Sequence, residues 1–347
     1  MKYIFTILSV IQLLCPSAHA QQSKDSIYFE KINSPNTKMI PVYGGKYKVF
    51  TQRHGDGRTP LLLLHGGPEN THEYFENFPE HLKGMGLSIY FYDQLGSYYS
   101  DTPDDATIWN INRFVEEVEE VRKGLGLKEF YLLGHSWGGM LAELYAAKYG
   151  KYVKGLILSN VPGFVAEDSK YLAHLMDSVD RAVRTQTALL PAFAQYRAQT
   201  DSISRGLPIA DTLLARQLTR MFNQKNDSLF GRTLFYRKAG SMPAPMIRNS
   251  MHMRFQSLEQ YHFDPFAADY QQALASITCP TLLIAGRYDF IQPEKYHALK
   301  TRMKAAVRVV IGAEGAHFNM WDDTDNYFKA LRQFISDVEK GKFRADR

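Results

Sequence analysis

Tyr131-Leu132-Leu133-Gly134-His135-Ser136-Trp137-Gly138-Gly139-Met140 is the stretch on which the reading of this chain turns. It passes from a buried apolar strand through Gly-x-Ser-x-Gly into a segment rich in Ala and Leu that has helical character. A strand–turn–helix of this kind lifts the serine hydroxyl clear of a sheet. It sets that hydroxyl over the N-terminus of the next helix, where the dipole favours developing negative charge. The turn is sharp, and Gly134 and Gly138 flank Ser136 because bulky neighbours would strain it. A bare Gly-x-Ser-x-Gly arises by chance in many chains. Here the flanking elements, and partners elsewhere in the sequence, mark Ser136 as a nucleophile.

On the N-terminal side, Lys38 to Val42 and Tyr47 to Arg53 read as two strands joined across Gly44-Gly45, a hairpin signal. Pro60 to Leu64 is a short continuous apolar run, as expected of a central strand covered on both faces. His65-Gly66-Gly67-Pro68-Glu69 follows it, and glycines there let the backbone approach a ligand. Leu87 to Tyr92 is another buried strand, ending at Asp93-Gln94-Leu95-Gly96-Ser97. Ile111 to Leu125 has helical spacing, and its Glu116, Glu117, Glu119 and Glu120 read as a solvated face. Further strands are expected at Val153 to Ser159, Thr281 to Ala285 and Val307 to Ile311, with helices at Pro293 to Met303 and Trp321 to Glu339. Strands alternating with helices predict an α/β protein with a mostly parallel, doubly wound sheet, whose ligands sit at the carboxyl ends of the strands. The alternation covers residues 38–162 and 276–347; residues 163–275 break it with helix-forming segments and read as an inserted helical cap.

At 347 residues, 45% hydrophobic and 22% charged, the chain has the composition of a globular protein with a sizeable core. A formal charge of +5, from scattered Lys and Arg, gives no support for nucleic-acid binding. Residues 1–20 read as a signal peptide: Met1-Lys2, an apolar run from Tyr3 to Leu14, and a small-x-small cleavage site at Ala18-His19-Ala20. The apolar run is too short for a stable membrane span, so a periplasmic or secreted protein starting near Gln21 is expected. Cys15 offers a lipoprotein alternative, disfavoured by the bulky Leu14 before it. The mature chain would keep only Cys279, an inert buried thiol before Pro280. Residues 21–37 are polar and aperiodic and read as a loose lead-in.

A serine hydroxyl needs a base to remove its proton, and the base needs a third group to fix its tautomer. In this architecture the acid and the histidine should follow the serine, on loops after late strands. Asp289 lies in Gly286-Arg287-Tyr288-Asp289, just past the Thr281–Ala285 strand, and His317 lies in Gly315-Ala316-His317, just past the Val307–Ile311 strand. Alone, either is an ordinary loop residue. Together, in order and at the expected strand ends, they complete a triad. The oxyanion hole requires two N–H donors, expected from Trp137 and, in the glycine loop, from Gly67 in preference to Gly66. No residue spacing suggests a metal or a phosphate-binding loop, and no cofactor is expected.

His65-Gly66-Gly67-Pro68, His72-Glu73-Tyr74, Asp93-Gln94-Leu95-Gly96, Gly134-His135-Ser136-Trp137-Gly138-Gly139, Gly286-Arg287-Tyr288-Asp289 and Gly315-Ala316-His317 together resemble the proline iminopeptidase family of α/β-hydrolases. The resemblance spans roughly residues 38–340, strongly in the core and weakly in the cap. It implies the α/β-hydrolase fold, the triad Ser136, Asp289 and His317, and release of an N-terminal residue, often proline, from small peptides or amino-acid amides. Two departures stand out. Glu69 takes the place of the last glycine of the family's HGGPG, and Tyr98-Tyr99-Ser100 follows Ser97 where the family has a second glycine and a serine. An aminopeptidase must hold a free ammonium group, for which carboxylates are suited. The family draws such acids from its cap, where Glu259 is the candidate; Glu69 and Glu73, beside the oxyanion loop, are candidates of this chain's own. Met242, Met246, Met251, Met253 and Phe255 read as packing within the cap. An esterase, lactonase or amidase could use the same triad, and a non-catalytic ligand-binding protein could use the same pocket. Epoxide hydrolases and dehalogenases are disfavoured, since they need a carboxylate where Ser136 stands.

Overall fold

Leu61, Leu62, Leu63 and Leu64 show how the molecule is layered, because alternate side chains along a strand point to opposite faces. Leu62 and Leu64 enter one core and Leu61 and Leu63 another, and all four are fully buried. Each such burial contributes about 1.5–3 kcal/mol. The computed structural model describes residues 26–162, 243–254, 257, 260–264, 268–289, 291 and 293–345. The expected signal peptide, Cys15, most of the expected cap, Met242, Phe255 and Glu259 lie outside the described residues.

Eight strands form one sheet: β1 (Thr37–Val42), β2 (Tyr47–His54), β3 (Thr59–Leu64), β4 (Leu87–Tyr92), β5 (Phe130–His135), β6 (Val153–Ser159), β7 (Thr281–Gly286) and β8 (Val307–Gly312). Their order is β1-β2-β4-β3-β5-β6-β7-β8. The β1–β2 and β2–β4 pairs are antiparallel and the other five are parallel. From β3 the chain moves out to β4, then returns past β3 to β5. The direction of winding therefore reverses between β3 and β5, and their carboxyl ends open the crevice in which such sheets bind ligands.

One face of the sheet is covered by α2 (Ile111–Leu125), α3 (Trp137–Tyr149), α5 (Tyr270–Ser276) and α6 (Tyr296–Arg302), with Phe114, Leu141, Tyr145, Leu274 and Leu299 in its core. On the other face lies α7 (Thr324–Glu339), which buries Tyr327, Phe328, Leu331 and Phe334 beside Tyr74, Phe75 and Phe78. The other helices of seven residues or more among the described residues are α1 (Ser26–Ile32) and α4 (Ala244–His252). Among the described residues no helix is long and apolar enough to cross a membrane.

The strands and helices match the expectations closely, with four differences. Glu117 and Glu119 of α2 are buried instead of solvated. Glu117 receives hydrogen bonds from Arg113, the Tyr92 hydroxyl and the Leu95 N–H, while Arg122 and the Tyr145 hydroxyl serve Glu119. Part of the expected lead-in is the helix α1. No residue of it is buried, but the Tyr28 ring lies parallel to Tyr99 at 5.7 Å and Lys31 Nζ reaches Glu76 at 2.6 Å. The expected Trp321–Glu339 helix is instead a single turn at Asn319–Asp322 followed by α7. Helix α5 falls within the expected cap but packs into the main core through Tyr270 and Leu274. Met246 is buried against the core on the α7 side, and Cys279 is a buried thiol, as expected, pushed up to about 11 by that burial.

Candidate active site

Ser136 stands between β5 and α3 with φ 54° and ψ −123°, the left-handed strain expected of a sharp elbow. The sheet and the helix hold it from both sides. Its N–H donates to the Ser159 carbonyl on β6 at 3.0 Å, and its carbonyl accepts from the Gly139 N–H at 2.9 Å. The neighbouring glycines make this approach possible. A Cβ on Gly134 would collide with the Gly138 carbonyl, and one on Gly138 with the carbonyls of Leu64 and His65.

Asp289 and His317 are brought together on the loops after β7 and β8, which lie side by side with Gly286 opposite Gly312. His317 Nδ1 lies 3.1 Å from Asp289 Oδ1 and 3.3 Å from Oδ2. A carboxylate can only accept, so Nδ1 carries the proton and Nε2 is the basic nitrogen of the ring. Both side chains are buried. Gly286 has no space for a side chain because the Gly315 and Ala316 carbonyls cross it, and the Tyr288 N–H donates to the Gly315 carbonyl at 2.9 Å. The acid loop and the histidine loop are therefore packed directly against each other.

The glycine loop after β3 lies against the elbow: a Cβ on Gly66 would come within 3.1 Å of Ser136 Cβ. The Gly66 N–H is already committed, donating to the Tyr74 hydroxyl at 2.5 Å. The Gly67 N–H has no hydrogen-bond partner among the described residues, and Trp137, as first residue of α3, has no intrahelical acceptor for its own. Gly67 has φ 114°, outside the range of residues with side chains. His65 braces this loop. Its Nε2 accepts from the Gln94 N–H at 3.0 Å, so Nδ1 donates to the Gly66 carbonyl at 2.8 Å. Gln94 adds bonds to the His65 carbonyl at 2.9 Å and from the Trp137 indole N–H at 2.8 Å. Burial pushes the His65 imidazole down, keeping it neutral for this role.

Of the three candidate carboxylates, Glu69 and Glu73 are both fully buried, with quite different surroundings. Glu73 has every oxygen engaged: Oε1 with the Tyr99 hydroxyl at 2.9 Å and Arg248 Nε at 3.3 Å, Oε2 with Thr71 Oγ1 and His252 Nδ1, both at 2.9 Å. Burial opposes its charged form, but the hydrogen bond and charge of His252 outweigh it and hold the carboxyl below its usual range. Glu73 thus ties α4 to the turn after the glycine loop. Glu69 Oε2 accepts from the Ser257 N–H at 3.0 Å and hydroxyl at 2.9 Å, while Oε1 is buried with no hydrogen-bond partner among the described residues. Burial pushes this carboxyl up to about 7. Tyr98 and Tyr99, the other departure, are buried; Tyr98 stacks on His252 with ring centroids 4.0 Å apart.

Three further residues join the site that sequence reasoning left without a role. Asn160, just past β6 with φ 53°, donates to Asp289 Oδ2 at 2.5 Å and to the Ala316 carbonyl at 3.0 Å. Tyr74 and His135 connect the glycine loop to the histidine loop. An asparagine at the carboxyl end of a parallel strand was the one available signal for Asn160, since Asn tolerates the left-handed region. Among the described residues no group of His, Cys, Asp or Glu could hold a metal ion.

Residues 59–324 match the family model of the alpha/beta hydrolase fold. A proline iminopeptidase of Flavobacterium johnsoniae is 33% identical over 312 residues, covering 88% of this chain and 99% of the relative. One from Elizabethkingia meningoseptica is 34% identical over 323 residues, covering 88% and 100%. Among solved structures, proline iminopeptidase from Mycobacterium smegmatis superposes with a TM-score of 0.64 at 21% identity, over 88% of this chain and all of that one, a likeness of fold. With the sheet order, the elbow and these relatives in agreement, the chain belongs to the proline iminopeptidase family of α/β-hydrolases.

Proposed function

We propose that this protein is a serine aminopeptidase that releases an N-terminal residue, often proline, from small peptides or amino-acid amides. The observation that carries the reading is the His317–Asp289 hydrogen bond at 3.1 Å, on loops braced against each other beside the Ser136 elbow. Ser136 Oγ attacks the acyl carbon and passes its proton to His317 Nε2, while Asp289 stabilises the imidazolium. The oxyanion is received by the N–H groups of Gly67 and Trp137, each worth about 2.7–4 kcal/mol of transition-state stabilisation. Collapse expels the amine, which takes the proton from His317, and water then hydrolyses the acyl-enzyme by the same route in reverse. Of Glu69 and Glu73, Glu69 is better suited to the substrate ammonium, because among the described residues its Oε1 has no hydrogen-bond partner whereas both oxygens of Glu73 are engaged. Glu259 is a second candidate.

Hydrolysis of prolyl, alanyl and leucyl arylamides is to be compared with N-acetyl-prolyl arylamide and an aryl ester, with Ser136→Ala as blank. The expected outcome is cleavage of the free-amine substrates that acetylation abolishes and Ser136→Ala removes. Cleavage of the ester alone would replace the aminopeptidase reading by an esterase using the same triad. The N-terminal pattern further supports export to the periplasm or medium. Mass measurement of the exported protein should place its first residue near Gln21; an intact Met1 would count against it.

A further inference from the structure

A buried chain of hydrogen bonds runs from the glycine loop, past the nucleophile, to the histidine loop. The Gly66 N–H lies 2.5 Å from the Tyr74 hydroxyl oxygen, that oxygen 3.2 Å from His135 Nδ1, and His135 Nε2 2.9 Å from the His317 carbonyl. The proton positions follow from the ends. A backbone N–H only donates and a carbonyl only accepts, so His135 carries its proton on Nε2 and Tyr74 passes its hydroxyl proton to Nδ1. Each donor meets one acceptor, and the chain has a single direction. It is shielded throughout: Tyr74 is 0% and His135 1% exposed, and His135 stacks on Phe318 with centroids 5.2 Å apart. Burial pushes the His135 imidazole well down, consistent with one ring proton.

We propose that Tyr74 and His135 are positioning residues that clamp the glycine loop to the histidine loop across Ser136. By occupying the Gly66 N–H, Tyr74 leaves the next amide, that of Gly67, to receive the oxyanion. By holding the His317 carbonyl, His135 fixes the base from behind, while Asp289 and Asn160 hold its ring and its loop from the other side. Neither side chain touches the reacting atoms; each acts through a residue that does. This inference rests on the serine-hydrolase reading of the site.

The test compares Tyr74→Phe, His135→Leu, His135→Gln and the Tyr74→Phe/His135→Leu pair, with rates normalised to sites titrated by a serine-phosphonylating reagent. Normalisation removes any loss of folded protein, which is all that a merely structural role would produce. Tyr74→Phe is expected to lower kcat per titrated site about tenfold to a hundredfold, the scale of a small misplacement of catalytic groups, with KM for prolyl arylamide nearly unchanged. A prolyl aldehyde, which forms a tetrahedral adduct, should lose affinity by the same factor, while inhibition by free proline is unaffected. The double variant should be little worse than His135→Leu alone, and His135→Gln, which keeps an N–H for the His317 carbonyl, should recover part of the rate even if Tyr74→Phe fails to fold. A kcat per site within twofold of wild type in both Tyr74→Phe and His135→Leu, or a rise in KM alone, would overturn the proposal. Activity surviving Ser136→Ala would instead overturn the reading beneath it.

Discussion

Glu69 concentrates two demands in one side chain. Its backbone has φ 64°, where glycine is at ease, and its carboxyl is fully buried with one oxygen lacking a hydrogen-bond partner among the described residues. Burial moves that carboxyl from 4.5 to about 7, so between those values the folded protein binds more protons than the unfolded chain. Its contribution is therefore least unfavourable at low pH and worsens as pH rises through the window. The displacement corresponds to about 3 kcal/mol. Glu69→Gln cannot ionise, and its stability relative to wild type should improve by up to about 3 kcal/mol between pH 4.5 and pH 8, read by urea denaturation at both ends. A pH-independent difference would show that Glu69 binds protons in the folded protein as it does in the unfolded chain. The same variant should raise KM for free-amine substrates if Oε1 receives the ammonium. Arg254 and Arg113 offset part of the burial cost, and an arriving substrate ammonium would offset more of it.

At the scale of elements, the elbow is a packing problem solved by glycine. Gly138 allows the first turn of α3 to rest on the end of β3, so the loop carrying Gly66 and Gly67 lies against Ser136. A methyl there must push the strand end from the helix. Gly138→Ala is expected to destabilise by about 1–3 kcal/mol and to lower kcat, because the oxyanion loop and the nucleophile separate. Gly150, at the other end of α3, has ordinary helical φ and nothing within 4 Å of an added Cβ. Gly150→Ala should therefore leave stability within about 0.5 kcal/mol of wild type and activity unchanged. Equal effects at the two sites, by thermal denaturation and rate, would remove the packing argument. Elements were legible wherever their signal is strong, in the helical period of α2 and in the short continuous apolar runs of the parallel-paired strands β3 to β8. Within the acidic run of α2, Glu117 and Glu119 are buried where a solvated face is expected, because the same residue type suits either a solvated face or a buried network. Arg113, Tyr92 and Arg122 decide between them.

Across the whole molecule, the position of the site follows from winding. Because β3 is flanked by β4 and β5, the loops after β3 and β5 open onto one crevice, and β7 and β8 deliver the acid and the base to the same edge. The two cores on either side of the sheet, anchored by α3 and α7, hold that edge in place. Segments expected to lie outside the core also reach it. Helix α1 touches the turn after the glycine loop through Lys31, and Ser257 and Arg254, from the expected cap, bond the side chain and carbonyl of Glu69.

What the sequence determined by itself was the alternation of apolar strands with helices, the glycines at the sharp turns, and the order of Ser136, Asp289 and His317 at strand ends. These survive translation into structure because each strand, turn and strand-end position is set by neighbours a few residues away, and chain order is unchanged by folding. Only the tertiary structure decided that Glu69 Oε1 has no hydrogen-bond partner among the described residues, and that Tyr74, His135 and Asn160 lie together beside the triad loops. Their partners are remote, with His135 and His317 separated by 182 residues and Asn160 and Asp289 by 129. No local pattern encodes such a pair. A buried polar atom must find whatever donor or acceptor the fold brings beside it, and that choice exists only once the loops have been packed together.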